Sequence, residues 1–152
     1  MPKVGENAPD FTLPSNDGEV RLSQVLQGHK VLLAFYAEDN TPTCVRELSS
    51  LRDEYSVIQE LGAEVLAISV DPLESHASCA EKQGGFPFPL LSDQDRSVSK
   101  AYDVLDESGR RSRRALFVID QQGTVQCAIP YYNPANSGQF VEALESLGLS
   151  LE

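Results

Sequence analysis

A chain of 152 residues with 41% hydrophobic content and a formal charge of −11 is long enough for one domain that buries roughly 68–70% of its unfolded surface. The acidic balance argues against nucleic acid or an anionic membrane as partner, because both need a basic surface, and no apolar run approaches the ~20 residues of a membrane span. The first residues, Met1-Pro2-Lys3-Val4-Gly5-Glu6, lack the apolar stretch of a secretory signal, so the expected location is the cytoplasm.

In chain order, Phe11-Thr12-Leu13 and Val20-Arg21-Leu22 flank a turn at Asn16-Asp17-Gly18 and predict a β-hairpin. Ser23 to Leu26 predicts a short helical turn ending at Gly28. The apolar stretch Val31 to Tyr36 predicts a strand. Pro42 to Leu61 predicts a long helix, because Val45, Leu48, Leu51, Tyr55, Ile58 and Leu61 recur at the helical period. A second strand at Val65 to Val70 completes a βαβ unit with parallel strands. Asp71-Pro72 opens another helix, carrying Leu73, Ala77 and Ala80 and ending near Gly84-Gly85. Phe86-Pro87-Phe88-Pro89 cannot be helical and leads into an extended Leu90-Leu91. A short helix around Val98 to Tyr102 follows. Ala115 to Asp120 and Thr124 to Ile129 form a second hairpin, and Pro134 to Leu147 the closing helix, with Phe140, Leu144 and Leu147 on one face. No repeat and no linker divides the chain. The expectation is a single domain over 1–152: an α/β, thioredoxin-like fold with a central mixed sheet, flanking helices and an N-terminal hairpin.

The chemistry concentrates at Cys44. Thr is a good N-cap and Pro a favoured first helical residue, so Thr41 and Pro42 start the helix and Cys44 falls in its first turn. There the unpaired backbone N–H groups and the positive dipole end favour an anion, and the thiolate is the reactive form of cysteine. A buried structural thiol is the competing reading, since free cysteine is often buried. Of the other two cysteines, Cys127 alternates with Val125 and Ile129 on one strand face, a core position. No C-x-x-C pair, Walker A loop or G-x-G-x-x-G is present, and His29 and His76 lie far from clustered thiols, so no metal or other cofactor is expected. Both histidines read as surface or helix residues. Tyr131-Tyr132-Asn133-Pro134 reads as a turn without assigned chemistry.

The segment Phe35-Tyr36-Ala37-Glu38-Asp39-Asn40-Thr41-Pro42-Thr43-Cys44-Val45-Arg46-Glu47 resembles the peroxidatic-cysteine motif of the peroxiredoxins, and most nearly their bacterioferritin comigratory protein, or PrxQ-type, branch. Further blocks follow in order: Gly5-x-x-Ala8-Pro9-x-Phe11, Ile68-Ser69-Val70-Asp71, Phe88-Pro89-Leu90-Leu91-Ser92-Asp93 and Arg114-x-x-Phe117-x-Ile119-Asp120. The resemblance implies a thiol peroxidase acting on hydrogen peroxide and organic hydroperoxides without a cofactor. Cys44 would attack the peroxide and become a sulfenic acid. Thr41 matches the hydroxyl that orients thiolate and peroxide, and Arg114 the arginine that holds the thiolate and polarises the substrate. Pro42 and Glu47 match supporting positions, with Glu47 orienting an arginine.

From the residues alone, Thr41 also reads as a plain helix cap, and Arg114 as one member of the surface run Arg110-Arg111-x-Arg113-Arg114. What separates Arg114 is its place directly before a buried strand. The chain departs from the family pattern at Ala37, where proline is usual, and at Thr43, often glycine. Ser49 occupies the position where many members of the branch carry a resolving cysteine. Other members use a cysteine in the helix after Asp71-Pro72, so the resemblance makes Cys79 the resolving candidate, against a core role. The implied partners are the hydroperoxide and a thioredoxin-like dithiol reductant, and the implied state is a monomer. Two alternatives stay open: a one-cysteine peroxidase resolved by an external thiol, and a redox sensor with little turnover. A thioredoxin-type disulfide reductase is disfavoured, because Thr41 stands where its first cysteine would be.

Overall fold

The computed structural model describes residues 1–149. Strands β1 (Thr12–Ser15) and β2 (Gly18–Arg21) form the N-terminal hairpin, with Gly18 at φ +104° closing a turn that a β-carbon would strain. The short helix α1 (Leu22–Val25) leads to β3 (Lys30–Phe35). Helices α2 (Pro42–Asp53) and α3 (Tyr55–Glu60) precede β4 (Ala63–Ser69), and α4 (Leu73–Lys82) precedes β5 (Leu90–Ser92). Helix α5 (Ser97–Ala101), strands β6 (Ala115–Ile119) and β7 (Val125–Ile129) and helix α6 (Ser137–Ser146) complete the order.

The strands make one mixed seven-stranded sheet, β2-β1-β5-β4-β3-β6-β7. β3 runs parallel to β4, and β4 to β5, which the helical crossovers through α2–α3 and α4 make possible. β6 returns antiparallel to β3. Alternation along each strand divides the core in two. Val31, Leu33 and Phe35 face Phe11, Leu22, Tyr102 and Phe117 on one side. Leu32, Ala34 and Tyr36 face the other, with Leu48 and Leu51 from α2, Ile58 from α3 and Ala143 and Leu144 from α6. Cys44, Cys79 and Cys127 all belong to this second side.

Three expectations need correction. The helix expected over Pro42 to Leu61 is two helices, because Glu54 leaves helical geometry at φ −100°, ψ 7°. The apolar period continues through that joint, which is why periodicity alone does not reveal it. The closing helix begins at Ser137, not at Pro134, because Asn136 caps it by accepting a bond from the Gly138 N–H at 3.1 Å. His76 is not a surface residue but is wholly buried on the inner face of α4 beside Cys79.

Candidate active site

The register brings the site together at one edge of the sheet. β3 and β4 are parallel, so the loops leaving Phe35 and Ser69 emerge side by side, where open α/β sheets place their ligands. β6 runs the other way and starts there: Ala115 pairs with Phe35, so Arg114 stands beside the loop that follows β3. β7 ends at the same edge, and the Tyr132 N–H donates to the Arg114 carbonyl at 2.9 Å.

Asn40 turns the chain from that loop into α2 through a left-handed conformation, φ 64°, which asparagine tolerates better than most residues. Thr41 is the N-cap and Pro42 the first residue of α2, as the sequence predicts. The cap is geometric only. The Thr41 hydroxyl makes no capping bond; it donates instead to the Glu38 carbonyl at 3.1 Å. The first bond at this end of the helix runs from the Val45 N–H to the Thr41 carbonyl at 2.9 Å, so the Thr43 and Cys44 amides lie ahead of it. Cys44 is 1% exposed, with its thiol at the positive end of a twelve-residue helix.

One turn along, Glu47 is fully buried, and neither carboxyl oxygen has a hydrogen-bond partner among the described residues. The same holds for the buried Nε of Arg114, whereas Arg110 and Arg111 of the same run are exposed. Burial drives the Glu47 pKa well above the carboxylate range; the Cys44 charge adds to this and Arg114 opposes it. Cys44, Glu47 and Arg114 thus share one electrostatic environment. Unsatisfied buried polar atoms are rare, and here an acceptor set and a donor border the same thiol. Such a place suits a small polar reactant that gains and loses charge on oxygen.

Tyr132 also borders Glu47: its phenol is pushed up to about 12, by burial first and then by the Glu47 charge. Its place in a turn after β7 gave no sequence signal; only the antiparallel return of β6 and β7 brings it here. At the outer rim, Arg111 pairs with Glu38 of the loop. Arg46 is exposed on α2.

Cys79 lies wholly buried on α4, and none of the three thiols is in a disulfide. Burial raises its pKa, with Asp39 and Asp71 adding to the effect, while the nearby Asn40 backbone N–H lowers it. The resolving candidate therefore touches the loop that precedes Cys44. Cys127, 4% exposed on β7, is a core residue as its alternation predicts.

The chain matches the AhpC/TSA family over residues 4–128. It is 38% identical over 134 residues to a Coxiella burnetii protein named as peroxiredoxin bcp, covering 84% of this chain and 88% of that one. It is 38% identical over 123 residues to the chloroplastic peroxiredoxin Q of Triticum aestivum, covering 80% of this chain and 56% of the longer plant protein. The crystal structure of peroxidoxin BcpB from Mycobacterium tuberculosis superposes with a TM-score of 0.86 at 32% identity, over 97% of each chain.

Proposed function

The chain belongs to the AhpC/TSA family, as a peroxiredoxin of the bacterioferritin comigratory protein and PrxQ type, and from that thiol-dependent peroxidase activity we propose which of its residues carry each step. Cys44 is the nucleophile. Its thiolate attacks the terminal oxygen of the hydroperoxide; a sulfur–oxygen bond forms, the peroxide bond breaks, and water or an alcohol leaves after protonation. The observation that carries this assignment is the thiol at the helix start beside the unpartnered Arg114 Nε and Glu47 carboxyl.

Arg114 and the Cys44 amide supply donors to the oxygen that gains charge. The Thr41 hydroxyl, its proton committed to Glu38, keeps lone pairs that can accept from the peroxide O–H. Pro42 fixes the first turn with no N–H to satisfy. Glu47, its carboxyl kept protonated by burial, lies beside Arg114 and orients it, and does not transfer protons.

Cys79 then resolves the sulfenic acid. Its sulfur bonds to the Cys44 sulfur, the S–O bond breaks, and the hydroxyl leaves as water with the Cys79 proton. A thioredoxin-type dithiol returns the disulfide to two thiols. Because both thiols are buried on helices, the first turn of α2 must unwind to bring them together. The one-cysteine cycle is the second reading, favoured by the burial that raises the Cys79 pKa.

Turnover with peroxide and reduced thioredoxin separates the two. Cys44→Ser should abolish peroxide consumption. Cys79→Ser should consume one equivalent and then stop with thioredoxin. Full thioredoxin-driven turnover by Cys79→Ser would transfer resolution to an external thiol. We also propose a monomeric, single-domain protein of the cytoplasm; the one continuous sheet and the bacterial relatives support this.

A further inference from the structure

One turn back along α4 from Cys79, the ring of His76 meets acceptors on both sides. Nε2 lies 2.8 Å from the Leu91 carbonyl, and Nδ1 lies 2.7 Å from Asp39 Oδ2. The Tyr36 hydroxyl, 3.2 Å from Nδ1, gives its proton to Asp39 Oδ1 at 2.7 Å. The ring is thus clamped between the Leu91 carbonyl and the Asp39 carboxyl, wholly inside the protein. Ser75 donates a further bond to Asp39 Oδ2 at 2.7 Å, and the Asp39 N–H donates to Asp71 Oδ2 at 2.9 Å.

A polar cluster this deep is a poor source of stability, because the cost of desolvating its members offsets most of their attraction. What it accomplishes is geometric. Asp39 lies in the loop between β3 and Cys44, while Ser75 and His76 lie on the helix that carries Cys79. The cluster fastens one to the other. It thus spans the two segments that must separate from their folded positions before the thiols can join.

We propose that Asp39 and His76 form a latch, positioning residues that hold the loop ahead of Cys44 against α4 and so set how fast the Cys44 sulfenic acid is captured by Cys79. This rests on the reading of Cys79 as the resolving thiol. While the latch is closed, Cys44 stays in the helical turn that reacts with peroxide. Opening raises the population of the unwound form, and capture speeds in proportion. A slow capture leaves the sulfenic acid open to a second hydroperoxide, which donates an oxygen to give sulfinic acid and leaves as water or an alcohol. The latch therefore governs the partition between disulfide and overoxidation.

Rapid mixing of the reduced protein with hydrogen peroxide, with acid quench and mass analysis, reads Cys44 oxidation, Cys44–Cys79 disulfide formation and the sulfinic fraction separately. His76→Ala should form the disulfide roughly tenfold faster than wild type, as expected for losing a bond to a charged group. Its sulfinic fraction at excess peroxide should fall, while Cys44 oxidation is unchanged or slower. His76→Gln, which keeps one donor, and Ser75→Ala, which leaves the His76–Asp39 contact intact, should move in the same direction by less. Ser75→Ala also keeps the test available if the His76 variants do not fold. Oxidation and disulfide formation that slow together, or a disulfide rate unmoved in all variants that fold, would overturn the latch alone. A wild type that forms no Cys44–Cys79 disulfide would overturn the role of Cys79 and the latch with it.

Discussion

Glu47 shows how much of this site depends on burial. Its carboxyl pKa is raised far above the ordinary value of 4.5, so the native protein keeps a proton that the unfolded chain releases. A raised folded pKa gives stability that is complete below about 4.5 and is lost as pH climbs toward the folded value. Glu47→Gln does not have to ionise. Its urea midpoint relative to wild type should rise steadily with pH above that value; a difference that stays constant would mean Glu47 is charged in the native state. The motif around Cys44 makes Cys44, Thr41, Pro42 and Glu47 legible, because all lie within seven residues. Arg114 is legible from its place before a strand. Tyr132, Asp39 and His76 are not, since their roles come from contacts across the fold. For His76 a signal existed. It lies three residues before Cys79 and four before Ala80, on the apolar stripe of α4, and a histidine on that stripe is buried before it is exposed.

At the scale of elements, strand positions follow from apolar runs, and every strand lies within two residues of its expected bounds. Helix ends are less legible. The break at Glu54 interrupts a continuous apolar period, and the start of α6 depends on which polar residue caps it. Asn136 does so, and Pro134 lies before the cap, outside the helix. Asn136→Ala should therefore cost about 1 kcal/mol of stability, measured by urea denaturation. A loss near zero would show that Ser137, not Asn136, provides the cap. The tie between α2 and α4 has a second point: Arg52 reaches the Gln83 carbonyl at 2.5 Å and stacks on Phe86 at 5.1 Å. The two helices that carry the candidate redox thiols are thus braced at the far end of α2, beyond the proposed latch near its start.

For the molecule as a whole, the sheet puts β3, β4, β6 and β7 so that four chain ends meet at one edge, and the two candidate redox thiols share one core face. The large exposed apolar residues among those described are few, Met1, Val4, Leu73 and Tyr131, in keeping with the proposed monomer. Light scattering should give the chain mass of 16.6 kDa for the reduced protein; twice that value would replace the monomer with a dimer. The central claim is that Cys44 is oxidised by peroxide and joined to Cys79 within one chain. Treating the reduced protein with one equivalent of hydrogen peroxide and measuring intact mass and cysteine peptides tests it most directly. The oxidised protein should lose about 2 Da, with Cys44 linked to Cys79. A gain of about 16 or 32 Da confined to Cys44 would contradict the intramolecular step, and an unchanged Cys44 would contradict the assignment of the nucleophile itself.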